Sequence, residues 1–230
     1  DKSVGLLCAW AAAAGAPMMM AAWEREGPEA VREVSGHLAR TLLLIAAPAA
    51  AGLALVAQPL SEVMIGEDMR AQAASIMPWI ALSGLINGFV LHYVSEAYQL
   101  SHRTDLRAWL MLVPALANVA LNAILLPWIG LMGAVYSTVA CYALALILLA
   151  GVARKLAPLS WPWKDFLKVA GACSAMAIAV RMMPSTGGMT ELLLKASVGA
   201  TIYVMTALVF DAAGARAALQ QFASRRARRV

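Results

Sequence analysis

Charge is scarce in this chain. Asp, Glu, Lys and Arg make up 13% of its 230 residues, where soluble domains carry roughly 25%. So little charge cannot clothe a water-facing surface, and a mean hydropathy of +0.72 excludes a soluble domain a second time. Cysteine is scarce as well. Cys8, Cys141 and Cys173 all fall in apolar stretches, and no metal or redox spacing joins them, so they read as small buried hydrophobes. His37, His92 and His102 are scattered, and the chain has no H-E-x-x-H, no G-x-S-x-G and no Asp-rich metal motif. Catalysis finds no residues to work with, and no metal or cofactor is expected.

What the chain has in excess is apolar length, with 62% hydrophobic residues. Seven windows are long and apolar enough to cross a bilayer core: 4–23, 42–65, 73–97, 108–128, 132–152, 166–183 and 192–210. They predict an all-α, polytopic membrane helix bundle. The placement of the 18 Lys and Arg residues tests that segmentation. If odd-numbered connections share one side, that side holds Arg25, Arg32, Arg40, Arg103, Arg107, Arg154, Lys155, Lys164, Lys168 and the tail residues Arg216, Arg225, Arg226, Arg228 and Arg229. The other side keeps only Lys2, Arg70, Arg181 and Lys195. By the positive-inside rule the N-terminus lies outside and the C-terminus in the cytoplasm. The net charge of +5 then reflects orientation in a membrane, and no nucleic-acid partner is expected.

Six of the seven tryptophans (Trp23, Trp79, Trp109, Trp128, Trp161 and Trp163) fall at or near span ends, as an aromatic belt would. Gly15 and Pro17 interrupt the first span, either as a static packing kink or as a hinge. Pro28 reads as the first residue of a cytoplasmic helix that runs into the second span. The third span opens near Pro78 and Trp79 and holds Asn87, His92 and Glu96, the most polar content of any span. Pro158, Trp161, Pro162 and Trp163 form a rigid linker before the sixth, and Pro184, Gly187 and Gly188 mark a turn before the seventh. Arg181 and Lys195, near outer ends, are expected to snorkel to headgroups.

The most informative stretch is residues 118–138. Asn118 and Asn122 fall four apart on one helix face, Pro127 is expected to end that helix, and Gly130 and Gly133 let the next start close against it. The pattern N-x-x-x-N-x-x-L-x-P-x-x-G-x-x-G-A resembles that of the polysaccharide flippases of the multidrug/oligosaccharidyl-lipid/polysaccharide exporter superfamily. Residues 48–66, with Pro48, Gly52 and a closing Ile65-Gly66, repeat a weaker motif of the same family.

The resemblance implies two six-helix lobes followed by two further helices. Residues 1–153 would be an incomplete C-terminal lobe of five spans, and 154–230 the two additional spans with a basic tail. The start at Asp1-Lys2-Ser3, at the mouth of a span and without Met, is expected to reflect a missing N-terminal half. The function implied is translocation of a polyprenyl-pyrophosphate-linked oligosaccharide across a bacterial inner membrane for O-antigen, capsule or exopolysaccharide assembly, by alternating access. Partners would be the bilayer, the lipid-linked glycan, the N-terminal half, and polysaccharide polymerase and assembly proteins. The rivals are a multidrug or cation antiporter of the same superfamily, and, from another class, a membrane-embedded glycosyl- or prenyltransferase.

Two constellations could line the path. His92 and Glu96, four apart, could meet as a proton- or cation-coupled site. Alternatively Glu96 is solvated near the cytoplasmic interface and His92 bonds a neighbour. Asn118 and Asn122 could contact substrate hydroxyls, although amides there more often bond across helices and lock packing.

Overall fold

A computed structural model describes residues 15–25 and 27–215, and among these it is helical with no strand. We number the helices α1 Gly15–Arg25, α2 Pro28–Leu55, α3 Ala57–Met64, α4 Glu67–Phe89, α5 Ser95–Leu100, α6 Thr104–Ile129, α7 Leu131–Leu156, α8 Trp163–Arg181 and α9 Gly188–Val209. A five-residue π turn, Val90–Val94, joins α4 to α5, so that Glu67–Leu100 forms one long rod. A 3-10 turn, Ala212–Gly214, follows α9. Cys8, Lys2, most of the first span and the basic residues from Arg216 onward lie outside the described residues.

Among the described residues, five helices are long and apolar enough to cross a membrane: Pro28–Leu55, Glu67–Leu100, Thr104–Ile129, Leu131–Leu156 and Gly188–Val209. The expected sixth span is the 19-residue α8, whose first turns carry Lys164, Asp165 and Lys168 and so fall short of a clean apolar length. The boundary expected between 153 and 154 lies inside the last turn of α7, which runs to Leu156.

Why α2 starts and stops where it does follows from three residues. Gly27, at φ 83, turns the chain, and Pro28 opens the helix at a position where no backbone donor is lost. Pro59 then denies an N–H to the Leu55 carbonyl and crowds it, so the helix breaks at Val56 (φ −95, ψ 10) and resumes as α3. The second span is thus a long helix followed by a short one, where the sequence predicts a single segment over 42–65. The third also differs: its helix begins at Glu67, well before Pro78, because a proline in mid-helix loses one hydrogen bond without forcing an end. Pro127 likewise sits inside α6, which continues to Ile129 and ends at Gly130 with φ 60, a conformation that favours glycine.

Val31, Ser35, Leu38, Ala39, Leu42, Ala46 and Ala50 form the buried stripe of α2 at helical spacing. Around it one core gathers residues of α1, the π turn, α5 and α7, including Met19, Tyr93, Tyr98 and Leu149. A second core joins Leu43 of α2 to Val169, Met176 and Val180 of α8 and Tyr203 of α9, and Phe89 touches both. The α6 helix stands at the margin, burying only Pro114 and exposing Trp109, Leu116, Val119 and Trp128. Such a face is stable against hydrocarbon and not against water.

Contacts sort the connections into two ends. Ser35 of α2 accepts the Ser160 backbone N–H at 3.1 Å, Arg40 pairs with Asp165 at 2.9 Å, and Ala213 N–H reaches Asp165 at 3.3 Å. At the other end Gly188 N–H donates to Glu62 at 3.1 Å. The first and fifth connections and the start of the tail therefore share one end, and the second and sixth share the other. The charge distribution requires the same alternation.

Candidate functional site

Three features inside the bundle have the chemistry of a site: an amide–hydroxyl ring, a buried carboxylate beside the π turn, and two apolar recesses.

The ring joins α6 to α7. Asn122 Nδ2 donates to Asn118 Oδ1 at 3.0 Å, Ser137 Oγ donates to Asn122 Oδ1 at 2.6 Å, and Asn118 Nδ2 lies 3.5 Å from Ser137 Oγ. The Ser137 hydroxyl also lies 2.9 Å from the Ala134 carbonyl and is fully buried. Gly133 makes this reach possible. A Cβ there would overlap the Leu125 backbone, so only glycine lets the first turn of α7 lie against α6. The sequence marks both asparagines but not Ser137, their shared partner, because nothing local distinguishes that serine from others.

Glu96 lies in the first turn of α5 and is only 8% exposed, which excludes the solvated interfacial placement. His92 lies within the π turn and is half-buried, as is Asn87 on α4. Among the described residues neither makes a side-chain hydrogen bond, and none joins His92 to Glu96. The π turn holds His92 while Glu96 lies in the α-helix after it, so the regular i, i+4 spacing of an α-helix does not run between them. Ser95 Oγ bonds the Val90 carbonyl five residues back at 2.7 Å. Tyr98 donates to the Leu149 carbonyl at 2.8 Å and Tyr93 to that of Ser160, which pins the segment to α7 and to the linker. The structure thus brings Asn118 and Asn122 together and leaves Asn87, His92 and Glu96 unjoined. No group of His, Cys, Asp and Glu among the described residues could hold a metal.

Gly15 and Pro17 fall in the first turn of α1. A Cβ on Gly15 would come within 2.6 Å of Leu38 Cδ1, so this glycine lets α1 rest on α2. The chain before it, where a kink at Pro17 would show, is outside the described residues.

The larger recess, about 590 Å³, opens between α2, α4 and α8. Its walls are Leu43, Ala47 and Ala51 of α2, Leu82, Leu85 and Phe89 of α4, and Phe166, Val169 and Cys173 of α8, with Trp161 and Trp163 at one end. Trp161 meets Tyr93 edge-on at 5.3 Å and stacks on Trp163 at 6.2 Å. A second recess of about 500 Å³ lies between α2, α8 and α9, with Lys195 at its rim. Lys195 does not snorkel: its ammonium pairs with the buried Glu191 one turn earlier, whose other oxygen takes the Gly187 N–H at 2.6 Å.

Spanning helices, an exposed apolar face on α6 and recesses within the bundle define a polytopic helical membrane protein. No family model and no curated protein matches the chain. Its fold is similar to that of the lipid II flippase MurJ in an inward closed conformation, with a TM-score of 0.76 at 16% identity. The match covers 90% of this chain and 44% of that one, so the chain spans less than half of the structure it resembles.

Proposed function

We propose that this chain is the C-terminal half of a two-lobe transporter that moves a polyprenyl-pyrophosphate-linked oligosaccharide from the cytoplasmic to the outer leaflet of a bacterial inner membrane. The product would serve O-antigen, capsule or exopolysaccharide assembly. The observation that carries the reading is the apolar recess between α2, α4 and α8, about 590 Å³ and walled by hydrocarbon. A lipid-linked glycan has two incompatible parts. Its isoprenoid tail needs an apolar slot along the spans, while its charged head crosses in a polar cavity that two lobes close by rocking. The recess supplies the slot, and its volume lies within the roughly 300–1,000 Å³ range of ligand pockets. A fold similar to that of a lipid II flippase supports the coarser part of this reading, a transporter for a lipid-linked substrate. The polar cavity would be completed by the N-terminal half, and polymerase and assembly proteins would take the product.

Filling the recess tests this. Ala47→Trp and Ala51→Trp in the full-length protein, expressed in a flippase-deleted strain, are expected to lower surface glycan at least fivefold at normal membrane abundance. Leu116→Trp, on the exposed face of α6, serves as control and leaves output unchanged. Normal output with the recess filled would overturn the reading. Drug efflux lost in its place would favour the antiporter.

A further inference from the structure

Two carboxylates are buried among the described residues, Glu96 and Glu191, and only one has a cation. Glu191 is held by Lys195. Glu96, 8% exposed, has a single long hydrogen bond, from Gln99 Nε2 at 3.4 Å, and no Lys, Arg or His within ion-pair distance among the described residues. Four elements pack against its helix: α1, the π turn, α6 and α7. On α6, Arg107 is the charge close enough to act on Glu96, while Asp105 is exposed and lies 3.9 Å from Arg103. Glu24 and Arg25 on α1, and Arg154 and Lys155 on α7, are exposed at helix ends. In the π turn His92 is half-buried without a hydrogen bond, and the Tyr93 hydroxyl is taken by Ser160.

A carboxylate inside a membrane bundle must be neutralised by a proton, a metal cation or a basic side chain. Among the described residues no basic side chain pairs with it, and Arg107 acts on it only from beyond ion-pair distance. A cation would need a cage of oxygens, and among the described residues no group of three His, Cys, Asp or Glu side chains gathers around Glu96 to supply one. What faces the carboxylate is an amide donor. The π turn just before it is a feature found frequently at functional sites within α-helices.

We propose that Glu96 is a proton-binding site of the transport cycle. Its carboxyl is protonated in the packing seen here. It releases the proton to water when the ends of α5, α6 and α7 part and Arg107 comes within reach of the anion. One proton is bound and one released per cycle. The proposal rests on reading the chain as a transporter, and it assigns the energy-coupling group of that transporter.

Infrared spectroscopy of the full-length protein in lipid tests it without substrate. The difference spectrum, native minus Glu96→Gln at neutral pH, is expected to contain the C=O stretch of a neutral carboxylic acid in an apolar site, shifted in D2O. Glu96→Asp, which also serves if the glutamine variant does not fold, is expected to move that band without abolishing it. Carboxylate bands in place of the acid band, or a band that answers to added sodium and not to pH, would overturn the proposal. Failure of the recess-filling experiment with the acid band intact would instead remove the glycan substrate and leave the proton site standing.

Discussion

The Arg40 guanidinium and the Asp165 carboxylate, 125 residues apart in the chain, meet at 2.9 Å and tie the first connection to the start of α8. Asp165 is the better shielded partner, 16% exposed against 43% for Arg40, and its second oxygen takes the Ala213 N–H at 3.3 Å. One carboxylate therefore fastens α8 to α2 and fastens the turn after α9 to α8. With the Glu62–Gly188 bond at the other end, α8 and α9 are held to α2 and α3 at both ends of the bundle.

That pair is half-exposed, so its own contribution is modest. A double-mutant cycle of Arg40→Ala and Asp165→Ala, read by thermal unfolding in detergent, is expected to give a coupling of about 0.2–1 kcal/mol that shrinks in high salt. Asp165→Ala alone should cost more than Arg40→Ala, because it also strips the Ala213 N–H of its acceptor. Equal single effects with no coupling would mean that the contact does not form in the membrane protein.

The α6–α7 hairpin makes a sharper claim about rank. Ser137→Ala removes the hydroxyl shared by Asn118 and Asn122, but the asparagine pair at 3.0 Å survives, so the loss is expected near 0.6–2 kcal/mol. Gly133→Ala puts a methyl into the Leu125 backbone, which cannot yield as a flexible side chain would. It is expected to be the more damaging of the two, lowering both Tm and membrane yield. A Ser137→Ala variant less stable than Gly133→Ala would mean that the ring, and not the close approach, holds the hairpin.

Much of this architecture is legible in the sequence because membranes simplify the physics. Apolar length marks the spans, and arginine placement marks their ends, with no need of tertiary detail. The Gly130 turn and the close approach at Gly133 are legible for a similar reason, since few residues other than glycine satisfy those positions. The π turn is different: Val90, Leu91, His92, Tyr93 and Val94 carry no local mark of it, and it follows from how Tyr93 and Tyr98 are pinned by carbonyls on distant segments. Ser137 is invisible for the same reason, since its role depends on register across the hairpin. The Glu191–Lys195 pair was readable from its i, i+4 spacing. Snorkelling, which needs only a position near a span end, is the weaker expectation where such a partner exists.

Topology offers a test that needs no function. In a background without cysteine, single cysteines at Ser101 and Ser185 are expected to label oppositely with a membrane-impermeant thiol reagent. Ser101 lies in the connection between α5 and α6, and Ser185 in that between α8 and α9. Ser185 should react in intact cells and Ser101 only after permeabilisation. The reverse order would invert the bundle, and equal labelling would refute the alternation of ends.

The last prediction concerns the Glu191–Lys195 pair at the start of α9. Glu191 is 4% exposed and the Lys195 side chain 14%, so the two charges shield each other from water in this packing. Glu191 also accepts the N–H of Gly187, and Glu62 accepts that of Gly188, two glycines held at φ 76 and 67. Removing one member of a shielded pair leaves an uncompensated charge, whereas replacing both with uncharged groups of similar size removes the problem. Lys195→Met alone is therefore expected to lower Tm markedly and to loosen the connection between α8 and α9. The double variant Glu191→Gln, Lys195→Met should recover most of that loss, since the glutamine oxygen can still accept from Gly187. Limited proteolysis around residues 184–188 reads the loosening directly, with cleavage fast in the single variant and slow in the double. If the double variant is no more stable than Lys195→Met, the ammonium contributes by packing at the rim of the smaller recess, and the pair is not what fastens α9.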